Sequence, residues 1–422
     1  MSSSVYGPQG VAHPFPPTTM TAATGLANGS ATTTTTDGGL LQGLAGPRIC
    51  ALVRPEREAM SDVRLIDIPA SVPRSSWPPR PRTDAHVARQ PLGDLTRFPD
   101  ELLLATVGFL DFQSLDRLRQ ISRRARDIIE SLEVWRELLR HAPAQLHALH
   151  RTGLLGLHRA SGLLAALRSS ACGSCRAHFG GFLFLLTCER ACLSCLRENA
   201  ALRLTTPDRA ARCFSLSPDQ VARLLPHMTT IPQRRYSGAL RGWYNVPTRL
   251  VSIRHAKELS LALHGGELPP PVEPARTADG RLPTSFNPLD PLVFASFRDA
   301  PLEAPARDLS LEEPLHAVPD DFMGAAIVRM PSLRGGGGGG DESGCCSPLD
   351  HGVYCDGCQK VRMLFEQGML PGHAALELFP PGIKSRRRVV EAGAQRLWST
   401  EGFVDHVAKC YGAQILLQSM PA

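Results

Sequence analysis

The chain has 422 residues, 43% of them hydrophobic, enough for two or three domains, but 37 glycines and 36 prolines imply that much of it does not pack. Its formal charge of +6 comes from interspersed bases and acids, with no like-charged block resembling a nucleic-acid arm; the longest basic run is Arg386, Arg387 and Arg388. No apolar window approaches the roughly 18 residues of a membrane span, and the Ser/Thr/Pro/Gly-rich start lacks the apolar core of a signal peptide, so membrane insertion and secretion are not expected.

From the N-terminus, residues 1–90 carry a threonine tract at 32–36 and a Pro-rich run at 73–81, a composition that cannot bury enough apolar surface to offset chain entropy. We expect this region to be disordered. Near Gly93 the composition turns to Leu, Ile and Arg at helical spacing, and a folded part begins. Pro99 suits the start of a helix, where its missing N–H costs nothing, and Asp100 and Glu101 favour the positive end of the helix dipole. A second helix is predicted from about Ser114, with Leu115, Leu118 and Ile121 on one side. A third, capped by Ser122, carries Ile128, Ile129, Leu132, Trp135 and Leu138. Three short helices of this size bury little surface alone, so a partner for the remaining apolar face is physically expected.

Phe98-Pro-Asp-Glu-Leu-Leu, Phe109-Leu110, Leu115, Leu118, Ile121-Ser-Arg and Trp135 together resemble the F-box. The resemblance implies a module over residues 91–141 that docks on the Skp-type adaptor of a cullin-RING (SCF) ubiquitin ligase. It assigns the interface to Phe98, Pro99, Leu102, Leu103, Val107, Leu110, Leu115, Leu118 and Ile121, with Trp135 closing the module. Where the family has an aromatic after Ser-Arg-x this chain has Ala125, a departure expected to weaken docking.

Next come Cys172-x2-Cys175 and, after 16 residues, Cys192-x2-Cys195, the spacing of a four-thiolate structural zinc site. Residues 182–186 between the pairs read as a strand and 192–200 as a helix opening, an order resembling a treble-clef arrangement. His178 and Cys188 are alternative ligands within the same unit. Cys355-x2-Cys358 and, 47 residues on, His406-x3-Cys410 offer a second set that depends on tertiary closure. Both sets are closed, as in structural rather than catalytic zinc. With 12 cysteines and no export signal, a reducing compartment is expected, cytoplasmic or nuclear.

Between these clusters, residues 265–344 are rich in Pro and polar residues and end in the glycine run 335–340; we expect mostly disordered linker, with 287–297 docking locally on the core. The predicted organisation is therefore a mainly α protein with a small zinc-stapled α+β region: F-box at 91–141, a Cys-rich first part at 142–264, and a C-terminal part at 345–422 packing back onto it. The layout from Gly180-Gly-Phe-Leu-Phe-Leu-Leu-Thr-Cys188-Glu-Arg-Ala-Cys192 through Leu216-Ser-Pro and Ile231-Pro232 to Val353-Tyr-Cys355 is similar to a class of filamentous-fungal F-box proteins. That resemblance implies a non-catalytic receptor linking an unidentified protein substrate to the ligase. No phosphate loop or nucleophile elbow is present. The alternative is a zinc-stabilised nucleic-acid-binding or regulatory protein, for which Arg234, Arg235, Tyr236, Arg241, Trp243 and Tyr244 are the suggestive stretch.

Overall fold

The computed structural model describes residues 47–54, 97–232, 246–272, 290–300, 302, 322–333, 349–379, 381–383 and 385–420. The threonine, proline and glycine tracts, the basic aromatic stretch at 234–244, and Cys345 and Cys346 lie outside the described residues.

The first long helix, Asp100–Val107, starts directly after Pro99. The second, Phe112–Arg119, begins earlier than Ser114 because Asp111 is the cap: its carboxylate accepts from Ser114 N at 2.8 Å. Ser122 caps the third, its hydroxyl accepting from Ala125 N at 3.1 Å. This helix covers Arg123–Ser131, then breaks where Leu132 turns extended (ψ 128°), and Glu133–His141 follows as a separate helix. The module thus has four helices rather than three. Phe112 and Trp135 stack with ring centroids 4.5 Å apart, and the Arg119 guanidinium lies 5.1 Å above Trp135. Leu115, Ile129 and Leu138 pack around them with essentially no exposure.

Two further helices, Pro143–Thr152 and Ala160–Arg168, lead to the hairpin of Phe182–Phe184 and Glu189–Ala191. One core runs without interruption from Val107 and Phe112, through Leu146, Leu163 and the fully buried Phe182, Leu183 and Phe184, to Tyr354 and Leu397. The F-box-like helices and the cysteine-rich region therefore share a single apolar interior. A second core gathers Phe214, Val221, Ile253 and Leu259 around the small antiparallel sheet of Leu204–Thr205, Arg249–Ser252 and His227–Thr229.

Within 265–344 the local docking expected for 287–297 is seen, and the expectation of disordered linker is corrected at 322–333. Asp290–Asp299 is a helix that buries Val293, Phe294 and Phe297 in the second core. Ile327–Arg329 pairs antiparallel with Phe182–Phe184 as the third strand of the hairpin sheet. Ser332–Leu333 pairs with Leu349–Asp350. These segments are apolar enough to fill space left by the hairpin; Ala325, Ala326 and Ile327 are fully buried.

The N-terminal expectation is likewise corrected over residues 47–54. Pro47–Cys50 is a short helix, and Val53–Arg54 adds a strand to Val353–Cys355, which pairs in turn with Leu397–Trp398. Ile49 and Leu52 enter a third core with Phe403 and Val407, while Arg54 donates to Gln359 Oε1 at 2.8 Å. The C-terminal part meets the cysteine-rich region through an ion pair of Arg388 with Glu198 at 2.7 Å and a hydrogen bond from Arg197 to Gln395.

Candidate metal centres and docking face

The sulfurs of Cys172, Cys175, Cys192 and Cys195 all lie within 4.8 Å of one another, and all four residues are buried. The knuckle at 172–175 is held by Cys172 N donating to His178 O at 2.8 Å and Arg176 N to Cys172 O at 2.9 Å, with Arg176 in the left-handed region at φ 57°. Gly173 N donates to Arg190 O at 2.8 Å, which ties the first knuckle to the strand that delivers the second. Cys192 N donates to Cys172 Sγ at 3.3 Å, and Cys192 Sγ accepts from Cys195 N at 3.5 Å as the cap of helix Leu193–Glu198. Such amide-to-sulfur bonds stabilise thiolate, the form that binds metal.

The second set comes together across 47 intervening residues. Cys355 ends a strand, Cys358 stands in the first turn of helix Asp356–Glu366, His406 in the last turn of helix Thr400–Lys409, and Cys410 follows directly. Cys358 Sγ lies 3.2 Å from His406 Nε2 and 3.9 Å from Cys410 Sγ, and Cys355 Sγ lies 4.0 Å from Cys410 Sγ. Closure depends on two glycines: a Cβ on Gly357 would sit 2.3 Å from Ala413 N, and one on Gly412 would sit 2.0 Å from Gly357 O. The indole of Trp398 stacks on the His406 ring at 3.9 Å and fixes its plane.

Separation decides what the clusters can hold. A disulfide needs about 2.05 Å between sulfurs. A tetrahedral zinc with Zn–S bonds of about 2.3 Å places sulfurs about 3.8 Å apart. The observed 3.9 Å between Cys175 and Cys192, and 3.9 and 4.0 Å in the second set, fit zinc. All nine cysteines whose side chains are described are free thiols. Hydrogen bonding from Cys172, then from Cys192 and Cys195, holds the Cys175 thiol well below its ordinary pKa; Cys355 and then Cys358 do the same for Cys410. Each set therefore carries a sulfur poised as thiolate. Cys188, an alternative ligand by its spacing, sits at the hairpin turn with φ 58°, outside the four-sulfur group, and burial pushes its thiol up to about 12. His178 Nδ1 lies 3.7 Å from Cys192 Sγ, beside the tetrad rather than in it. Cys213, buried against Phe294 O, is also pushed up to about 12 by desolvation, the state of an inert thiol.

Arg190, which no sequence motif singles out, connects these parts. Its buried guanidinium donates to Gly180 O (2.7 Å), Ala166 O (3.0 Å), Pro331 O (2.8 Å) and Met330 O (2.7 Å).

The ten residues assigned to adaptor docking divide in three. Phe98 (49% exposed), Pro99, Leu102 (55%) and Ile121 (50%) face solvent, joined by Leu104 (39%) and Phe109 (65%), which that assignment omits. Leu103, Val107, Leu115 and Trp135 are instead buried inside the chain, where they hold the helices together and cannot touch a partner in this conformation. Leu110 and Leu118 are half-buried at the edge of the same core. Ala125 is buried too, so the missing aromatic bears on packing of the module and not on its outer face. Leu102, Leu103 and Leu104 are consecutive leucines, and only the fold shows which of them turns inward.

Among the described residues no helix is long and apolar enough to cross a membrane. No curated protein and no solved structure matches the chain. A family model described as the F-box domain matches residues 95–137, which take in the first three of the short helices and most of the fourth, built around the Phe112–Trp135 stack, and the chain accordingly carries an F-box domain there.

Proposed function

We propose that the chain is the substrate receptor of an SCF-type ubiquitin ligase, docking a Skp-type adaptor with its F-box and presenting a protein substrate from its zinc-stapled remainder. The observation that carries this reading is the concentration of exposed apolar side chains on the F-box: between Phe98 and Ile121, the side chains of Phe98, Leu102, Leu104, Phe109 and Ile121 are all large, apolar and open to solvent. Burying such side chains is worth about 1.5–3 kcal/mol each at full burial, so a partner that covers several of them gains binding energy from the F-box surface. F-box domains serve as adaptor-binding elements, which supports naming that partner.

On this reading the chain is non-catalytic and resembles the filamentous-fungal receptors of this class. Each tetrad holds one structural zinc: Cys172, Cys175, Cys192 and Cys195 the first, Cys355, Cys358, His406 and Cys410 the second. When bound, the ions supply crosslinks and no reaction step. They would pin the hairpin and the C-terminal helices to the shared core, and so fix the receptor part relative to the docking face. The receptor works in the cytoplasm or nucleus, where thiols stay reduced.

The test is binding of a purified Skp-type adaptor to the full chain. Micromolar or tighter association, lost in a chain carrying Leu102→Asp and Ile121→Asp, supports the reading. No association of the intact, folded chain at tens of micromolar refutes it.

A further inference from the structure

His178, an alternative ligand by its place in the sequence, lies in the fold beside the four sulfurs of the first centre. Its ring Nδ1 is 3.7 Å from Cys192 Sγ, and its backbone carbonyl accepts from Cys172 N at 2.8 Å. One residue therefore reaches both knuckles, the first through its main chain and the second through its ring. We propose that His178 is a positioning residue of the first zinc centre: its Nδ1–H donates a hydrogen bond to the Cys192 thiolate, holds that sulfur in place and slows loss of the ion. The inference rests on the zinc reading above and adds to it a residue outside the ligand set.

Geometry separates a donor from a ligand. Ligands to one ion must all lie close together, as the four sulfurs do, each within 4.8 Å of the others. The His178 ring falls outside that group. Its distance to Cys192 Sγ instead suits an N–H···S bond, longer than the roughly 2.7–3.2 Å of N–H···O because sulfur is the larger atom. His406 makes the contrast: its Nε2 lies 3.2 Å from Cys358 Sγ, inside the second tetrad.

Charge gives such a bond its value. Four thiolates carry more negative charge than one zinc(II) ion neutralises, so the loaded first centre is an anion among buried residues. Donors aimed at sulfur offset that excess. Cys172 Sγ accepts from Cys192 N at 3.3 Å and has the Arg190 cation near it, whereas Cys192 Sγ accepts from Cys195 N at 3.5 Å. His178 adds a donor to the less well served of these two sulfurs. A neutral imidazole with its proton on Nδ1 is sufficient, so the bond requires no ring titration. The Cys175 thiol, held below its ordinary pKa first by Cys172, then by Cys192 and Cys195, receives a smaller contribution from the same ring. His178 is half-buried and lines the cleft between the two clusters, while Cys192 is buried and does not, so the ring and not that sulfur meets solvent there.

Three variants of the full chain separate the roles of this side chain. His178→Ala removes ring and donor, His178→Phe keeps a ring without a donor, and His178→Asn keeps an N–H close to the place of Nδ1. The backbone carbonyl that accepts from Cys172 N remains in all three. Native mass spectrometry counts zinc, and release of zinc into excess EDTA is followed with time. The cobalt(II)-substituted chains give the sulfur-to-cobalt charge-transfer bands in the near ultraviolet.

We expect one of the two ions to leave at least about tenfold faster in His178→Ala and His178→Phe, the low end of the roughly 10–100-fold effect of losing an outer-shell partner. The other ion should leave at the wild-type rate. The charge-transfer bands should move to lower energy in the same two variants, and His178→Asn should restore both readings. An ion absent from His178→Ala but present in His178→Asn is the same result in stronger form. Release from His178→Ala within about twofold of wild type, well short of that range, overturns the proposal. So does a His178→Phe chain that matches wild type, because the ring would then be a shield and not a donor, and so does failure of His178→Asn to restore the readings. Fewer than two ions in the wild type sinks the zinc reading and this inference with it; two ions with release unaltered in the variants sinks this inference alone.

Discussion

Replacing Arg190 by methionine removes the guanidinium that joins four backbone carbonyls, those of Ala166, Gly180, Met330 and Pro331, while keeping much of the side-chain volume. Hydrogen bonds from a charged donor contribute about 1.5–3 kcal/mol each, net of exchange with water. Against this stands the cost of burying the cation: desolvation first, offset in part by Asp350, moves its pKa down to about 10, which leaves it protonated at neutral pH. Breaking a buried charged network typically costs about 3–5 kcal/mol, and we expect a loss in that range. At about 2–4 °C per kcal/mol for a body of this size, the thermal midpoint should fall by roughly 6–20 °C. Arg190→Lys keeps the charge but not the planar fork that reaches several carbonyls at once, and should show at least half of the loss. Thermal unfolding followed by circular dichroism gives the magnitude. Hydrogen exchange should localise the first loosening to residues 327–333, whose strand and following turn Arg190 fastens. A midpoint for Arg190→Met within about 2 °C of wild type would refute the reasoning, because the desolvation cost would then cancel the network it supports.

Native mass spectrometry of the full chain should show two zinc ions, falling to one in Cys175→Ser and likewise to one in Gly357→Val, whose added side chain collides with the backbone at Ala413 and so opens only the second site. Leu102→Asp should weaken adaptor binding by at least about thirtyfold, a loss of roughly 2 kcal/mol or more, without moving the thermal midpoint. Phe112→Ala, by contrast, should lower stability by about 3–5 kcal/mol because it removes the ring stacked on Trp135. Equal effects of these two on adaptor affinity and stability would mean that the outer and inner faces have been misassigned. Burial, with Arg254 and His158 adding to it, lowers the pKa of His255 from 6.5 to about 4. The unfolded chain therefore takes up this proton first, so the stability tied to neutral His255 is complete above pH 6.5 and is lost as pH falls toward 4, by at most about 3 kcal/mol for this half-buried ring. Chemical denaturation at pH 7 and pH 4.5 should show a smaller acid loss in His255→Gln than in wild type; identical losses count against this assignment.

The parts of the site legible in the sequence are those written by local spacing. Two residues between cysteines make a knuckle whatever surrounds it, and Ser122 caps its helix through a bond three residues long. Other parts depend on partners far along the chain. The pairing of Phe182–Phe184 with Ile327–Arg329 spans more than 140 residues, and a three-residue strand has no periodicity of its own to reveal it. The strand at Val53–Arg54 escapes for the same reason, lying in a stretch whose average composition argues against any fold. Leu102, Leu103 and Leu104 are chemically identical, so pattern alone gives no phase to the helix and does not tell its inward residues from its outward ones. Arg190 is invisible because nothing in the sequence marks an arginine that serves four carbonyls rather than water.

The single interior shared by the F-box helices and the cysteine-rich hairpin has a mechanical consequence. Among the described residues, Val107, Phe182 and Leu183 belong to one packed core, so the F-box helices and the hairpin are joined by packing as well as by the chain. A core shared in this way would act as a jig: whatever is held against the hairpin region would sit at a set distance and angle from whatever grips the F-box. On the receptor reading, only those substrate lysines that this fixed offset brings within reach would be modified, so the choice of lysine would be set by the geometry of the packed interior as well as by affinity for the substrate.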